Sequence, residues 1–477
     1  MSVRPILAPD PQVSLRPTSE AVAALVELLR GRLGDRVTTS VSDRHTHGHD
    51  ESWHPGHPPD AVCYALSTDE VSFILSAARD ARVPVIPYGA GSSLEGHVAA
   101  LHGGISVDLS RMDKIVKVRA EDLDVTVQAG VTRQQLNIAL RDTGLFFPVD
   151  PGAEATLGGM AATRASGTNA VRYGTMRENV ISLTVVLSDG RVVRTASRAR
   201  KSSSGYDLTR LFIGSEGTLG IITEVTLRLY GIPEAVSAAV CSFPDTEAAI
   251  RTAIETIQCG VPVARMEFLD DVAMRAVRDF TGMTHACTPT LFFEFHGSDG
   301  GVAEQAETVQ ALAVGNGGSG WHWAKDADER AALWRARHEF HYAMLAQRPG
   351  ARIWGTDACV PISALAECIG ETRQDTQGVS FPAAALGHVG DGNFHMSFLI
   401  DPEDPAELAQ ARELNERLIQ RTLRLGGTCS GEHGIGMGKS KYLPAEHGVT
   451  AVDLMRGLKA LLDPEGILNP GKVLPPL

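Results

Sequence analysis

From residue 67 onward the apolar positions fall into short patterns. Ser67-x-x-Glu70 has the form of a capping box, and Val71, Ile74, Leu75 and Ala78 recur on one helical face, so the spacing predicts a half-buried helix there. Residues 83–87 read as a short buried strand, and residues 104–109 and 124–129 as two more. Thr132-x-x-Gln135 opens another helix, with Leu136, Ala139 and Leu140 on its apolar side. Residues 150–179 break the pattern: Gly, Ala and Thr dominate and large apolar side chains are scarce, which predicts a loop that wraps a ligand with its backbone. Residues 181–187 and 192–195 then read as the arms of a hairpin, and Asp189-Gly190 between them suits a type I′ turn. Residues 214–230 read as a loop followed by a strand.

The glycine density falls around Gly231-Ile-Pro233, which marks a domain boundary. Beyond it, residues 234–430 mix strands such as 290–294 with longer helices at 326–347 and 405–425, in the manner of an α+β domain. The tail reads as a helix over 452–462 and a turn through Gly471. At the other end, 19–33 is helix-like and 45–57 is a His-rich polar loop.

Composition narrows the class. Hydrophobic residues make up 43% and charged residues 21% of 477, and no apolar run approaches the ~18 residues a membrane helix needs. Residues 1–10 contain prolines and no apolar core of signal-peptide length, so a cytoplasmic protein is expected, at most peripheral to a membrane. The 44 basic against 57 acidic residues give a charge of -13, the wrong sign for following a phosphate backbone, and nucleic acid is excluded as a partner. Seven cysteines without a C-x-x-C pair read as reduced thiols and exclude a disulfide or zinc-finger scaffold. The departure from average is glycine, 48 residues of 477, and its placement matters more than its number.

In Gly89-Ala-Gly91, glycines follow a strand, yet the spacing to Gly96 fits neither a Rossmann loop nor a P-loop. Successive small residues still offer backbone N–H groups as an anion nest, with a plain surface turn as the alternative. His388-Val-Gly-Asp-Gly-Asn-Phe-His395 is the strongest local signal. A four-residue loop at 390–393 would set His388 opposite His395 across a hairpin, and Glu432 offers a third ligand, a His-His-Glu set suited to Zn²⁺ or Mn²⁺. A hydrogen-bonded pair of structural histidines is the alternative reading. His433, beside that ligand, is a candidate general base. Arg337, His341 and Arg348 share one face if the helix runs up to Pro349, and either arginine can hold a substrate carboxylate bidentately, with a solvated basic face as the alternative. The cluster His45, His47, His49, His54 and His57 lacks an acidic or thiolate partner at defined spacing and reads as a polar loop. His97 reads as an ordinary polar contact, with covalent attachment of a flavin as the alternative.

These segments resemble flavoproteins of the vanillyl-alcohol oxidase (PCMH) type, and within them the FAD-linked D-lactate dehydrogenases. The resemblance runs from about residue 43 to 475. It is carried by Phe147-Pro-Val-Asp-Pro-Gly152, Gly167-Thr-Asn-Ala-Val-Arg-Tyr-Gly-Thr-Met176, Leu211-Phe-Ile-Gly-Ser-Glu-Gly-Thr-Leu-Gly220, Gly387-His-Val-Gly-Asp-Gly-Asn-Phe-His395, Gly431-Glu-His-Gly-Ile-Gly436 and Leu468-Asn-Pro-Gly-Lys472. It implies an α+β protein: a helix and polar entry over 1–56, a two-part PCMH-type FAD-binding domain over 57–232, an α+β cap with the metal site over 233–430, and a returning segment over 431–477. FAD would be held by Pro87, Tyr88, Gly89, Ala90, Gly91, Ser92 and Ser93, and by Pro151, Gly152, Thr156, Gly158, Gly159, Ala162, Ser166, Gly167, Asn169, Tyr173 and Gly174. Glu216, Gly220, Ile221, Ile222 and Asn469 would complete its site. His388, His395 and Glu432 would be the metal ligands and His433 the base, with Arg337 and Arg348 on the substrate. The implied reaction is oxidation of a D-2-hydroxy acid, foremost D-lactate to pyruvate, with electrons passed to a cytochrome, quinone or electron-transfer protein. A homodimer is compatible with this. The alternatives are a D-2-hydroxyglutarate or glycolate dehydrogenase and, further off, a non-redox enzyme of the alkylglycerone-phosphate synthase type. Gln347-Arg348-Pro-Gly350 is closer to the D-lactate type.

Overall fold

A computed structural model describes residues 16–476, so the first fifteen residues of the expected polar entry, and the signal-peptide reading made on them, lie outside the described residues. The chain divides into two units, one of residues 16–166, 175–231 and 432–476, the other of 167–174 and 232–431. The continuous block expected over 57–232 is thus interrupted, because residues 167–174 count with the second unit.

In the first unit, Ser67 caps the helix Thr68–Ala81 by accepting from the Glu70 N–H, and the predicted face Val71, Ile74, Leu75 and Ala78 is buried. That face packs with Val85, Ile105 and Val107 of a four-stranded sheet and with Ile467 and Leu468 of the tail. The sheet runs Val37–Thr38, Ala61–Tyr64, Ile105–Asp108, Val85–Tyr88; the first pair is antiparallel and the other two are parallel. A second, antiparallel sheet runs Ile115–Arg119, Asp124–Gln128, Ile221–Arg228, Val180–Val186, Val192–Arg194. The hairpin is present, but the turn differs from the expected type I′: Gly190 has φ +84° and Asp189 is not among the positive-φ residues. Leu187 N–H donates to Arg191 C=O and Gly190 N–H to Leu187 C=O, the pattern of a three-residue connection in which glycine takes the left-handed position.

The tract 150–179, expected as a loop, contains three short helices: Leu157–Thr163, Ala170–Tyr173 and Met176–Asn179. Thr156 caps the first, and Thr175 with Glu178 forms a capping box on the third. Small residues that expose backbone also permit tight helical turns once a threonine caps them.

The second unit is built on an antiparallel sheet ordered Ser319–Ala324, Ala235–Ser242, Thr290–Gly297, Val263–Leu269, Ala383–Gly387, Asn393–Ile400, Arg352–Gly355, with Ala358–Cys359 also pairing onto Asn393–Ile400. Helices Asp271–Thr281, Ala327–His338 and Phe340–Ala346 supply Ala273, Val277, Leu333, Trp334, Phe340 and Met344 to a core against Phe292, Leu386 and Leu399. The expected helix over 326–347 is therefore two helices, broken at Glu339, whose ψ of 0° ends the first. Pro405–Arg424 forms the long helix predicted at 405–425.

Among the described residues no helix is long and apolar enough to cross a membrane.

Candidate active site

In the first unit the strand Val85–Tyr88 ends in the loop 89–93. A side chain would displace a neighbour at its glycines: a Cβ on Gly89 would lie 2.4 Å from Thr156 Oγ1, and one on Gly91, at a strained φ of +68°, would lie 2.4 Å from Tyr88 Oη. Among the described residues, no backbone carbonyl accepts from the N–H groups of residues 89–93. Packed against Thr156 of the second small-residue tract, this loop has the small residues and backbone N–H groups that an anion nest requires. These residues fit a pyrophosphate.

Behind the loop lies a buried polar hub. Glu216, at φ +52°, accepts from the N–H groups of Ile435 (2.7 Å) and Gly436 (2.8 Å), and His97 Nε2 lies 3.2 Å from its Oε2. Burial alone would raise the Glu216 carboxyl, but His97 and the two amides outweigh it and hold it below its ordinary value. Burial would lower His97, yet Glu216 and Asp50 prevail and raise it. Asn469 donates through Nδ2 to His97 C=O and Glu216 C=O, and through its backbone N–H to Val85 C=O. Lys472 donates to Ala99 C=O, and burial pulls its ammonium down to about 8. The carboxylate of Glu216 and the amide of Asn469 are thus engaged within the chain, where they brace the strand, the loop around His97 and the tail. Gly220 abuts Val185, where a Cβ would lie 2.5 Å from Cγ1, and Ile221 and Ile222 are core residues of the two sheets.

Four of the expected cofactor residues, Gly167, Asn169, Tyr173 and Gly174, belong to the second unit. Asn169 Oδ1 accepts from Arg265 Nε at 3.0 Å, and Tyr173 Oη bonds His296 Nδ1 at 2.8 Å.

The second unit also holds both expected histidine ligands. The pairing Leu386↔His395 shows that His395 does not face His388 across the ladder, as the four-residue loop predicted. The strand ends at Gly387, and His388 enters a turn that closes at Gly392. The rings nonetheless meet, with centroids 5.6 Å apart at 83°. Each Nδ1 has an acceptor: Glu267 Oε1 at 2.5 Å for His388, and Thr356 C=O at 2.9 Å for His395. Committing Nδ1 this way fixes Nε2 as the nitrogen that would meet a cation, the usual arrangement of metal-bound imidazoles. This donor set fits Zn²⁺ or Mn²⁺.

Gly431 closes the unit against Asn393, whose Nδ2 would lie 2.3 Å from a Cβ there, and Glu432 and His433 follow directly in the chain. Asn393 is held by Asp357 Oδ1 (2.8 Å), whose other oxygen accepts from Ser430 Oγ (2.9 Å).

The two arginines part. Arg337 Nε donates to Glu267 Oε2 at 2.8 Å, beside the histidines. Arg348 instead pairs with both oxygens of Glu407, at 3.0 and 2.8 Å, because the break at Glu339 takes it off the face of Arg337. Glu267, Asp357 and Asn393 were not singled out as site residues from the sequence. A carboxylate in the strand Val-Ala-Arg-Met-Glu-Phe-Leu, whose other residues apart from Arg265 are apolar, was the available signal for Glu267.

The FAD binding domain family matches residues 59–196, and the family of FAD linked oxidases, C-terminal domain, matches 232–473, more than half of the chain. The chain belongs to the FAD-linked oxidases.

It is 51% identical over 458 residues to a probable mitochondrial D-lactate dehydrogenase of Danio rerio, covering 95% of this chain and 92% of that protein. It is 45% identical over 454 residues to the mitochondrial D-lactate dehydrogenase [cytochrome] of Arabidopsis thaliana, covering 95% and 80%. The fold matches 4-ethylphenol oxidase from Gulosibacter chungangensis with a TM-score of 0.78 at 18% identity, over 96% of this chain and 98% of that one. FAD is accordingly the cofactor of this FAD-linked oxidase; the loop at Gly89 and His97 lie within the segment matched to the FAD binding domain, while Ile435, Gly436, Asn469 and Lys472 of the Glu216 hub lie within the C-terminal match.

Proposed function

We propose that this FAD-linked oxidase converts a D-2-hydroxy acid, foremost D-lactate, to the 2-oxo acid, and passes the electrons to a cytochrome or another carrier. The observation that carries the reading is the cluster of buried His388, His395 and Glu267 with half-buried Arg337, in a chain whose relatives are named D-lactate dehydrogenases. Loops 87–93 and 151–166 would hold FAD, and His388, His395 and Glu432 would hold a divalent cation. Bound FAD supplies the acceptor for the C2 hydride, and the bound cation supplies the charge that acidifies the C2 hydroxyl. Arg337, anchored through Nε, presents its terminal nitrogens as a fork to the substrate carboxylate. The imidazole of His433 takes the proton from the C2 hydroxyl oxygen. Arg348 has no part in this, since its guanidinium is committed to Glu407. The cytoplasmic placement expected from the sequence stands as a proposal beside relatives named as mitochondrial, and cell fractionation decides it.

Anaerobic titration tests the reading. D-lactate bleaches the flavin and L-lactate does not, metal analysis finds one Zn²⁺ or Mn²⁺ per chain, and His433→Ala slows bleaching by about 10²-fold or more. Turnover near that of the unaltered protein in His433→Ala or His388→Ala would sink it.

A further inference from the structure

Glu267 lies in the strand Val263–Leu269 between Met266 and Phe268, and its side chain is fully buried. An ionised carboxylate there costs several kcal/mol unless it is paired and hydrogen-bonded. Both of its oxygens have a charged or chargeable donor, and the donors come from different elements. Oε1 takes His388 Nδ1, from the turn after the strand Ala383–Gly387, and Oε2 takes Arg337 Nε, from the last turn of the helix Ala327–His338. The ladder brings this about, because Phe268 pairs with Gly387, the residue before His388. His395, by contrast, hydrogen-bonds through Nδ1 to the neutral Thr356 carbonyl at 2.9 Å, with the carboxylate of Asp357 farther off at 3.8 Å. A carboxylate on Nδ1 orients the imidazole and makes Nε2 the more basic donor, so the two histidines are unequal ligands.

We propose that Glu267 is a positioning residue for the reaction: one buried carboxylate sets the tautomer and aim of His388 and holds the guanidinium of Arg337, so that the cation and the substrate carboxylate are gripped in a fixed relation. This rests on the proposed function, and it adds that cation affinity and substrate affinity share a common support.

The test uses full-length FAD-loaded protein stripped with a chelator and titrated with Mn²⁺ alone, free Mn²⁺ being read by its electron paramagnetic resonance. His395→Ala sets the background from adventitious sites, and flavin content and thermal melting report folding. Glu267→Gln keeps the shape and loses the charge; the expected result is 10- to 100-fold weaker Mn²⁺ binding together with a raised KM for D-lactate. Arg337→Gln raises KM and leaves Mn²⁺ affinity unchanged, which a general loosening of the fold would not do. If Glu267→Gln binds Mn²⁺ as the unaltered protein does, the inference is overturned while the proposed function stands. If the unaltered protein binds no Mn²⁺ above the His395→Ala background, the proposed function falls and takes the inference with it. Should Glu267→Gln lose its flavin on purification, the Arg337→Gln arm decides: a loss of Mn²⁺ affinity in parallel with the rise in KM there refutes separate grips on a common support.

Discussion

His97 shows what one residue's surroundings can decide. A histidine next to a flavin loop is a candidate for covalent attachment, which needs a ring nitrogen that can reach the flavin. Here Nε2 faces Glu216 at 3.2 Å and Nδ1 lies 3.9 Å from Asp50, and these carboxylates push the pKa of the ring up against the effect of burial. Ring nitrogens turned to carboxylates are not aimed at a flavin. FAD is therefore expected to be released on acid precipitation, with its absorbance in the supernatant; yellow colour retained in the pellet would refute this. The sequence showed the histidine but not its partners, because Asp50 and Glu216 come from 47 residues upstream and more than 100 downstream. Arg337 and Arg348 make the same point: their spacing was right for one helical face, and the geometry of Glu339, where the two helices meet, separated them. Spacing predicts a common face only while the helix lasts.

At the scale of elements, helices with caps were legible and turns were not. Ser67 and Thr132 marked the starts of the helices Thr68–Ala81 and Arg133–Leu140, and the expected apolar faces are buried except for Ala139. The turn carrying His388 was misjudged, since the pattern of alternation cannot count the residues that leave the ladder. That turn is held by glycines. Gly392 has φ +77°, and a Cβ there would lie 2.1 Å from Val360 C=O. Gly392→Ala is expected to cost about 1–3 kcal/mol by the strain of a non-glycine residue in the left-handed region, and more from the clash. Chemical denaturation with metal analysis checks it, and the variant should lose its cation before its FAD, because the FAD loop lies in the other unit.

The whole molecule carries a charge of -13, and its proposed substrate is an anion. Entry is then opposed by the long-range field and favoured only near Arg337 and the cation. Raising ionic strength from about 10 to about 150 mM shortens the Debye length from about 25–30 to about 8 Å, so flavin reduction by D-lactate should speed up by a small factor in kcat/KM. With a basic acceptor protein, the reoxidation step should slow over the same range. Stopped-flow measurement of the two half-reactions separates them, and a lactate step that slowed with salt would contradict the argument. Composition supplied the sign of this effect, while the placement of positive groups against it needed the fold.

Val85, at the strand that feeds the flavin loop, exchanges backbone hydrogen bonds with the tail: its N–H donates to Ile467 C=O and its C=O accepts from Asn469 N–H. Leu468 forms a parallel bridge to the same residue. A ribosome that has just made the loop must still synthesise nearly all of the remaining chain before the edge of that sheet can close. The order of birth along the polypeptide thus delays completion of the cofactor's half, so that a nascent chain stalled before residue 467 would be expected to lack its full grip on FAD, however well its central portion had already packed.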